Sequence, residues 1–268
     1  MASRKFTAKL GPGGTGTHLT MSTNIQKTVN KWLNNIQFWL LPPTCILCRQ
    51  SGQPGRDLCA ACESGLPRIM HPCLRCALPL PPGLQGQALC GTCQVLPPPQ
   101  VRLLAPFSYS PPLPVLVSAF KYHHRLVNGK ELTAEACRYI AQHYRLSRMP
   151  DLMVPVPLHQ GRLRERGCNQ SLEIARWLSG PLQITVQHDL VYRSRETPQQ
   201  AGLSAAARRR NLRGAFRMSE DTGFEPGQVV AIVDDVVTTG STIGELARVL
   251  LRHGAAEVHV WALARTVL

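Results

Sequence analysis

Residues Val229 to Thr242 read VVAIVDDVVTTGST, and this stretch decides the fold. Five apolar residues, mostly β-branched, run into two adjacent acids, Asp234 and Asp235. Val236 and Val237 follow, then Thr238, Thr239, Gly240, Ser241 and Thr242, and then a helical pattern. The reading is a buried strand that ends in carboxylates and turns through small hydroxyl residues into a helix N-terminus. Loop and helix N–H groups of that kind hold phosphate. Paired carboxylates accept hydrogen bonds from two ribose hydroxyls. The segment therefore outlines a sugar-phosphate site. An ordinary buried strand with a polar exit would not need two acids and three threonines in so short a span.

Outward from this segment, strands alternate with helices. The pattern predicts strands at Val101–Tyr109, Asp151–Val156, Val186–Val191, Val229–Val233 and Val258–Leu263. It predicts helices at Val115–Tyr122, Glu131–Arg145, Asn169–Leu178 and Thr242–His253, with a polar, arginine-rich helix or loop at Leu203–Leu212. Such alternation implies an α/β fold with a mostly parallel sheet and right-handed crossovers. Ligands of such sheets bind at the carboxyl ends of strands. Pro157–Gly167 is expected to be a loop at a second such end, carrying Arg162, Arg164 and Arg166. Arginine suits a phosphate-rich ligand because its planar fork bonds two oxygens and its charge is permanent. A second basic stretch, Arg193–Arg217, holds seven arginines and one acid, Glu196.

Eight of the ten cysteines fall in four C-x-x-C pairs: Cys45/Cys48, Cys59/Cys62, Cys73/Cys76 and Cys90/Cys93. Each pair places two thiolates on one metal from a tight turn, and two pairs complete a tetrahedral zinc site. Eight thiolates suit two structural Zn2+ ions. Sequential ribbons would join the first pair to the second and the third to the fourth. A cross-brace would join first to third and second to fourth. Short gaps and Pro/Gly-rich connectors favour the ribbons. So small a module has few large apolar side chains, so metal is expected to supply most of its folding energy. Cys137 reads as a small core residue, and Cys168 as a packing residue near the site.

The chain has 268 residues, 44% of them hydrophobic, and a formal charge of +14. Each four-thiolate zinc site carries a net −2, so two of them lower +14 to about +10. A basic, arginine-rich chain attracts phosphates of nucleotides, nucleic acid or membrane. No stretch reaches the ~18 apolar residues of a membrane span. Residues 1–20 lack the apolar run of a signal peptide and read as disordered, with Met21 as an alternative start. Asn24–Leu41 reads as a short amphipathic helix. The expected location is cytoplasmic, where thiols stay reduced. The expected modules are an extension over 1–40, a double zinc ribbon over 41–96 and an α/β domain over 97–268.

The segment from Val229 to Thr242 resembles the phosphoribosyl pyrophosphate (PRPP) signature of type I phosphoribosyltransferases. Other blocks narrow the likeness: the Cys pairs, Phe120-Lys121-Tyr122, Val154-Pro155-Val156-Pro157, Arg166-Gly167-x-Asn169-Gln170-Ser171, Thr197-x-x-Gln200-x-x-Leu203 and Arg210-Asn211. Together they resemble the competence protein F (ComF) family, including its GntX-type members, over about residues 42–268. Cys168 departs from the aromatic usual between that Gly and Asn. The resemblance implies the type I phosphoribosyltransferase fold and PRPP, or a related phosphorylated ribose, as ligand, with Mg2+. It implies that Asp234 and Asp235 meet the ribose hydroxyls as catalytic residues. Thr238, Thr239, Gly240, Ser241 and Thr242 would hold the 5-phosphate, and Arg162, Arg164 and Arg166 the pyrophosphate. Arg193–Arg217 takes the place of a mobile hood. Phosphoribosyl transfer is one implied activity. A non-catalytic adaptor binding single-stranded DNA and DNA-uptake proteins is the other. A zinc hydrolase is disfavoured, because four complete C-x-x-C pairs make closed sites.

Overall fold

The computed structural model describes residues 42–81, 89–195, 212, 214–220 and 222–267. The predicted Asn24–Leu41 helix lies outside these residues, as does most of Leu203–Leu212 and of the hood stretch. Thr44–Leu268 forms one compact unit.

Two short helices, α1 (Ala60–Ser64) and α2 (Gly91–Val95), belong to the cysteine-rich segment. The α/β body follows: β1 (Arg102–Leu104), β2 (Phe107–Ser108), α3 (Leu113–Tyr122), α4 (Leu126–His143), β3 (Leu152–Pro155), α5 (Gln160–Arg166), α6 (Gln170–Leu182), β4 (Thr185–Val186), β5 (Val191–Arg193), β6 (Phe216–Met218), β7 (Val229–Val237), α7 (Ser241–Arg252) and β8 (Glu257–Arg265). The main sheet runs β1-β8-β7-β3-β4, with β2 also on β8, and every pairing in it is parallel. β5 and β6 form a separate antiparallel ribbon.

β7 is central because both its faces are apolar. Strand alternation sends Val230 and Ile232 to one core, with Leu246, Ala247 and Leu250 of α7. It sends Ala231 and Val233 to the other, with Phe120 of α3, Ile140 of α4 and Ile174 and Leu178 of α6. The two cysteine-rich halves join opposite cores: Leu58 and Leu66 pack on the α4 side, Ala77 on the α7 side. Tight packing also explains Gly129 in α4. A Cβ there would lie 2.7 Å from the Phe120 ring, so only glycine lets α3 and α4 approach so closely.

Several elements differ from the sequence expectation. Val101–Tyr109 splits at Ala105-Pro106 into β1 and β2, since proline has no N–H for the ladder. Val186–Val191 is not one strand: β4 pairs with β3, and β5 pairs with β6. The Pro157–Gly167 loop contains a helix, α5. His159 caps it by accepting a hydrogen bond from the Gly161 N–H at 3.3 Å, and Gly167 stops it at φ 73°. Its sequence, QGRLRER, is mostly strong helix formers. Lastly, β7 does not end at the acids but runs through them to Val237.

Candidate ribose-phosphate site and two cysteine clusters

The acids mark where a neighbouring strand stops. β3 pairs with β7 only as far as Val233, opposite Pro155, while β8 continues beside β7 to Val237. Asp234 and Asp235 therefore stand just beyond the point where the chain leaves β3 for α5. A crevice at the carboxyl ends of parallel strands is where such sheets take ligands.

Each acid has its own partner from another element. Lys121, in the last turn of α3, places its Nζ 2.9 Å from Asp235 Oδ2. Ser171, in the first turn of α6, donates to Asp234 Oδ1 at 3.0 Å. The Asp235 N–H donates to the same Asp234 oxygen at 2.9 Å. Burial of the Asp234 carboxyl, aided by the Asp235 charge, pushes its pKa up to about 7, against the pull of Lys121 and these hydrogen bonds. Burial works to lower the Lys121 pKa, but the two carboxylates outweigh it and the net direction is up.

Basic residues ring the acids. Arg162 and Arg166 are half-buried and lie one turn apart on α5, while Arg164 is exposed. Arg166 stacks on the Tyr122 ring at 5.1 Å, donates to the Tyr122 hydroxyl at 3.2 Å and to Gln170 Oε1 at 3.3 Å. Arg193, on β5, stacks on Phe216 at 5.6 Å. Burial lowers its pKa, Arg162 adds to that, and Asp234 opposes it, which puts all three within electrostatic reach. Cys168 is half-buried and accepts from Gln170 Nε2 at 3.4 Å; burial raises its pKa, so it is no activated thiolate.

Beyond the acids, residues 238–240 turn into α7. Gly240 adopts φ 77°, a left-handed conformation that glycine takes without strain. No side chain caps α7 at Gly240. Thr239 Oγ1 and Ser241 Oγ share a 2.9 Å hydrogen bond, and the Ser241 N–H approaches Thr239 Oγ1 at 3.4 Å. Thr238 is exposed, and Thr242 is half-buried. An uncapped helix N-terminus with small hydroxyl neighbours is a ready anion cradle.

Arg265, at the end of β8, ties this loop down from behind. Its guanidinium donates to the carbonyls of Val237 at 3.1 Å, Thr266 at 2.9 Å and Thr238, and to the Cys76 carbonyl at 2.8 Å. Burial lowers the Arg265 pKa, while Cys76, Cys93 and Cys90 oppose the shift.

The eight paired cysteines form two clusters, Cys45/Cys48/Cys59/Cys62 and Cys73/Cys76/Cys90/Cys93, with the ligand sulfurs of each within 4.8 Å of one another. The grouping is sequential, not interleaved. A tetrahedral zinc with Zn–S near ~2.3 Å needs sulfurs about 3.8 Å apart. Cys48 and Cys59 Sγ lie 3.7 Å apart, and Cys76 and Cys90 Sγ 3.6 Å. N–H groups point at the sulfurs, from Cys62 to Cys59 at 3.4 Å and from Cys90 to Cys73 at 3.3 Å. Burial resists ionisation of Cys45, yet backbone N–H groups bring its pKa down to about 6. The donor set fits two structural Zn2+ ions. The first cluster is anchored to α4: Arg56 reaches Glu131 at 3.0 Å and Glu135 at 2.8 Å, and Arg68 reaches Glu135 at 2.6 Å.

Sequence reasoning gave no role to Lys121, Ser171 or Arg265, and named Arg193 only as the first residue of the hood stretch. Lys121 and Ser171 lay inside quoted motif blocks, which was their only signal. Arg265 had none. Among the described residues, no helix is long and apolar enough to cross a membrane.

Comparison with known proteins agrees with this architecture. Residues 36–94 match the double zinc ribbon domain model, and residues 128–266 match the phosphoribosyl transferase domain model. The DNA utilization protein YhgH of Escherichia coli O157:H7 is 37% identical over 230 residues, covering 85% of this chain and 99% of that protein. Competence protein F of Haemophilus influenzae is 33% identical, covering 82% of this chain and 96% of that one. A hypoxanthine phosphoribosyltransferase from Staphylococcus aureus superposes with a TM-score of 0.33 at 15% identity, over 51% of this chain and 64% of its own. With sequential cysteine clusters ahead of a parallel sheet of the type I phosphoribosyltransferase fold, the chain belongs to the competence protein F family.

Proposed function

We propose that the protein binds Mg-PRPP, or a related phosphorylated ribose, in the crevice between β3 and β7. The observation that carries this reading is the Asp234–Asp235 pair set between cationic side chains and the uncapped start of α7. Asp234 and Asp235 accept hydrogen bonds from the ribose hydroxyls. Residues 238–242 hold the 5-phosphate with N–H and hydroxyl groups. Arg162 and Arg166 take the pyrophosphate; Arg164, exposed on α5, contributes at longer range. Mg2+ arrives with the pyrophosphate. If pyrophosphate is displaced, the positive charge that develops on the sugar is stabilised by the carboxylates, the usual electrostatic route. Structural zinc in both clusters holds the ribbons. The modules 1–40, 41–96 and 97–268 and a cytoplasmic location belong to the same reading.

Isothermal calorimetry with Mg-PRPP tests this. The intact protein binds with a stoichiometry near one, and the Asp234→Asn/Asp235→Asn double variant does not. An intact, folded protein that takes up no PRPP would sink the reading.

A second reading rests on the relatives named for DNA utilization and competence. Here the fold senses PRPP without turnover, and the basic chain meets incoming single-stranded DNA or its carriers. Pyrophosphate release across a panel of bases and nucleotides separates the two, since an adaptor releases none.

A further inference from the structure

We propose that Arg265 is a positioning residue that couples metal loading at the Cys73/Cys76/Cys90/Cys93 cluster to the shape of the loop that receives the 5-phosphate. The proposal rests on the PRPP reading above for its ligand but on geometry for its mechanism.

Arg265 is 6% exposed. Its hydrogen bonds from the side chain all end on backbone carbonyls: Cys76 on one side, and Val237, Thr238 and Thr266 on the other. One planar, rigid group thus spans a metal knuckle and the phosphate loop. Among the described residues no carboxylate pairs with this buried guanidinium, so it needs compensation from elsewhere. A four-thiolate zinc site carries a net −2 and supplies it.

The knuckle sets where the Cys76 carbonyl points. Ala77 takes φ 54°, a left-handed conformation, and its N–H bonds the Cys73 carbonyl at 2.8 Å, while the Cys73 N–H bonds the Leu78 carbonyl at 2.8 Å. Metal on Cys73 and Cys76 pins that turn. A cavity of about 430 Å³ separates this cluster from the loop, bordered by Cys76, Cys90, Thr239, Ser241 and Arg265. The loop therefore has room to move on that side, and Arg265 is the strut across it. The first cluster has a different anchorage, the carboxylates of α4, and serves as the internal control.

Coupling between two ligands is reciprocal. Loss of metal from the second cluster loosens residues 238–241 and weakens Mg-PRPP binding. Bound Mg-PRPP, in turn, slows release of that metal.

The full-length zinc protein is challenged with a chromophoric chelator, with and without Mg-PRPP. One of two zinc ions is expected to leave roughly five-fold or more slowly when Mg-PRPP is present, the lower end of ordinary coupling. Hydrogen exchange of the 238–243 amides is then measured, without PRPP, in Arg265→Lys, Cys73→Ser and Cys48→Ser. Arg265→Lys keeps the charge but cannot bridge. Faster loop exchange is expected in the first two variants and parental exchange in Cys48→Ser. Equal zinc release with and without Mg-PRPP from a protein that binds it, or parental loop exchange in Arg265→Lys, would overturn the proposal. Should the parent bind no PRPP, the ligand reading fails, and the exchange data alone still decide the coupling. Should a variant not fold, the chelator experiment on the parent decides it.

Discussion

Burial makes the Asp234 carboxyl reluctant to ionise. Its pKa is raised to about 7, because burial and Asp235 both resist the charge. For an acid, a folded pKa above the unfolded one stabilises the protein fully at low pH and is lost as pH rises through about 7. The unliganded protein should therefore gain stability, from this group, as pH falls from 8 toward 4. In the proposed site ribose hydroxyls need the carboxylate as acceptor, so Mg-PRPP binding should have the opposite slope. Mg-PRPP affinity should weaken below pH 7, and binding near neutrality should release protons. Calorimetry in buffers of different ionisation enthalpy reads that release; heats independent of buffer would contradict it. Lys121 opposes the shift, so Lys121→Gln should move the midpoint of the binding profile to higher pH. An unmoved midpoint would argue that Lys121 only packs. The acids themselves were conspicuous in the sequence, as adjacent carboxylates at the head of a hydroxyl turn. Their partners were not, because Lys121 and Ser171 sit far back in the chain and only the tertiary fold delivers them.

At the scale of elements, packing overrode local reading in both directions. β7 was expected to end at Val233, since a strand does not ordinarily continue through two acids. It continues because β8 supplies a pairing partner as far as Val237. The arginine segment was expected to be a loop because it is polar throughout; its helix depends on a histidine cap and a glycine stop that periodicity does not register. The helices α3, α4, α6 and α7 carry strong apolar repeats, and their existence was legible to within a few residues. The α3–α4 contact gives a direct test. Gly129→Ala drives a methyl into Phe120, and overpacking of that kind costs about 1–3 kcal/mol, which for a unit this size lowers Tm by roughly 2–4 °C per kcal/mol. A parental melting curve would mean that the Phe120 ring yields freely. A second test concerns the anchor of the first cluster. Glu135 has 2% of its side chain exposed and shares Arg56 with Glu131. Arg56→Met leaves Glu131 without its arginine, while Glu135 keeps Arg68 and Arg138, and should cost about 1–3 kcal/mol, read by thermal denaturation. Arg56→Met/Glu131→Gln, which removes the unpaired charge and keeps an acceptor for the Asp57 N–H, should recover part of the loss.

For the whole molecule, charge and metal are bound together. Zinc content by mass spectrometry should be two per chain, and chelation should unfold residues 44–95 before the sheet, since the ribbons have little core of their own. A content of zero would refute the ribbon assignment. If single-stranded DNA binds the basic surface, its affinity should fall steeply with salt, because phosphate contacts release counterions. The two-module plan was visible in the cysteine spacing. The way the modules interlock was not: Leu58, Leu66 and Ala77 contribute to the cores of the body, and such long-range burial leaves no local mark.

The strand order β1-β8-β7-β3-β4 has a further consequence for synthesis. β8 is made after every other strand of the sheet, yet it is inserted between β1 and β7. Until residues 257–265 leave the ribosome, β1 has no strand partner among the described residues, β7 has one open edge beside its two acids, and the 238–240 loop has no Arg265 behind it. The nascent chain can fold its first cysteine cluster early, with metal, but must hold an unfinished sheet until β8 has been made. A ribosome stalled before residue 257 should carry a protease-resistant first cysteine cluster and a protease-sensitive body.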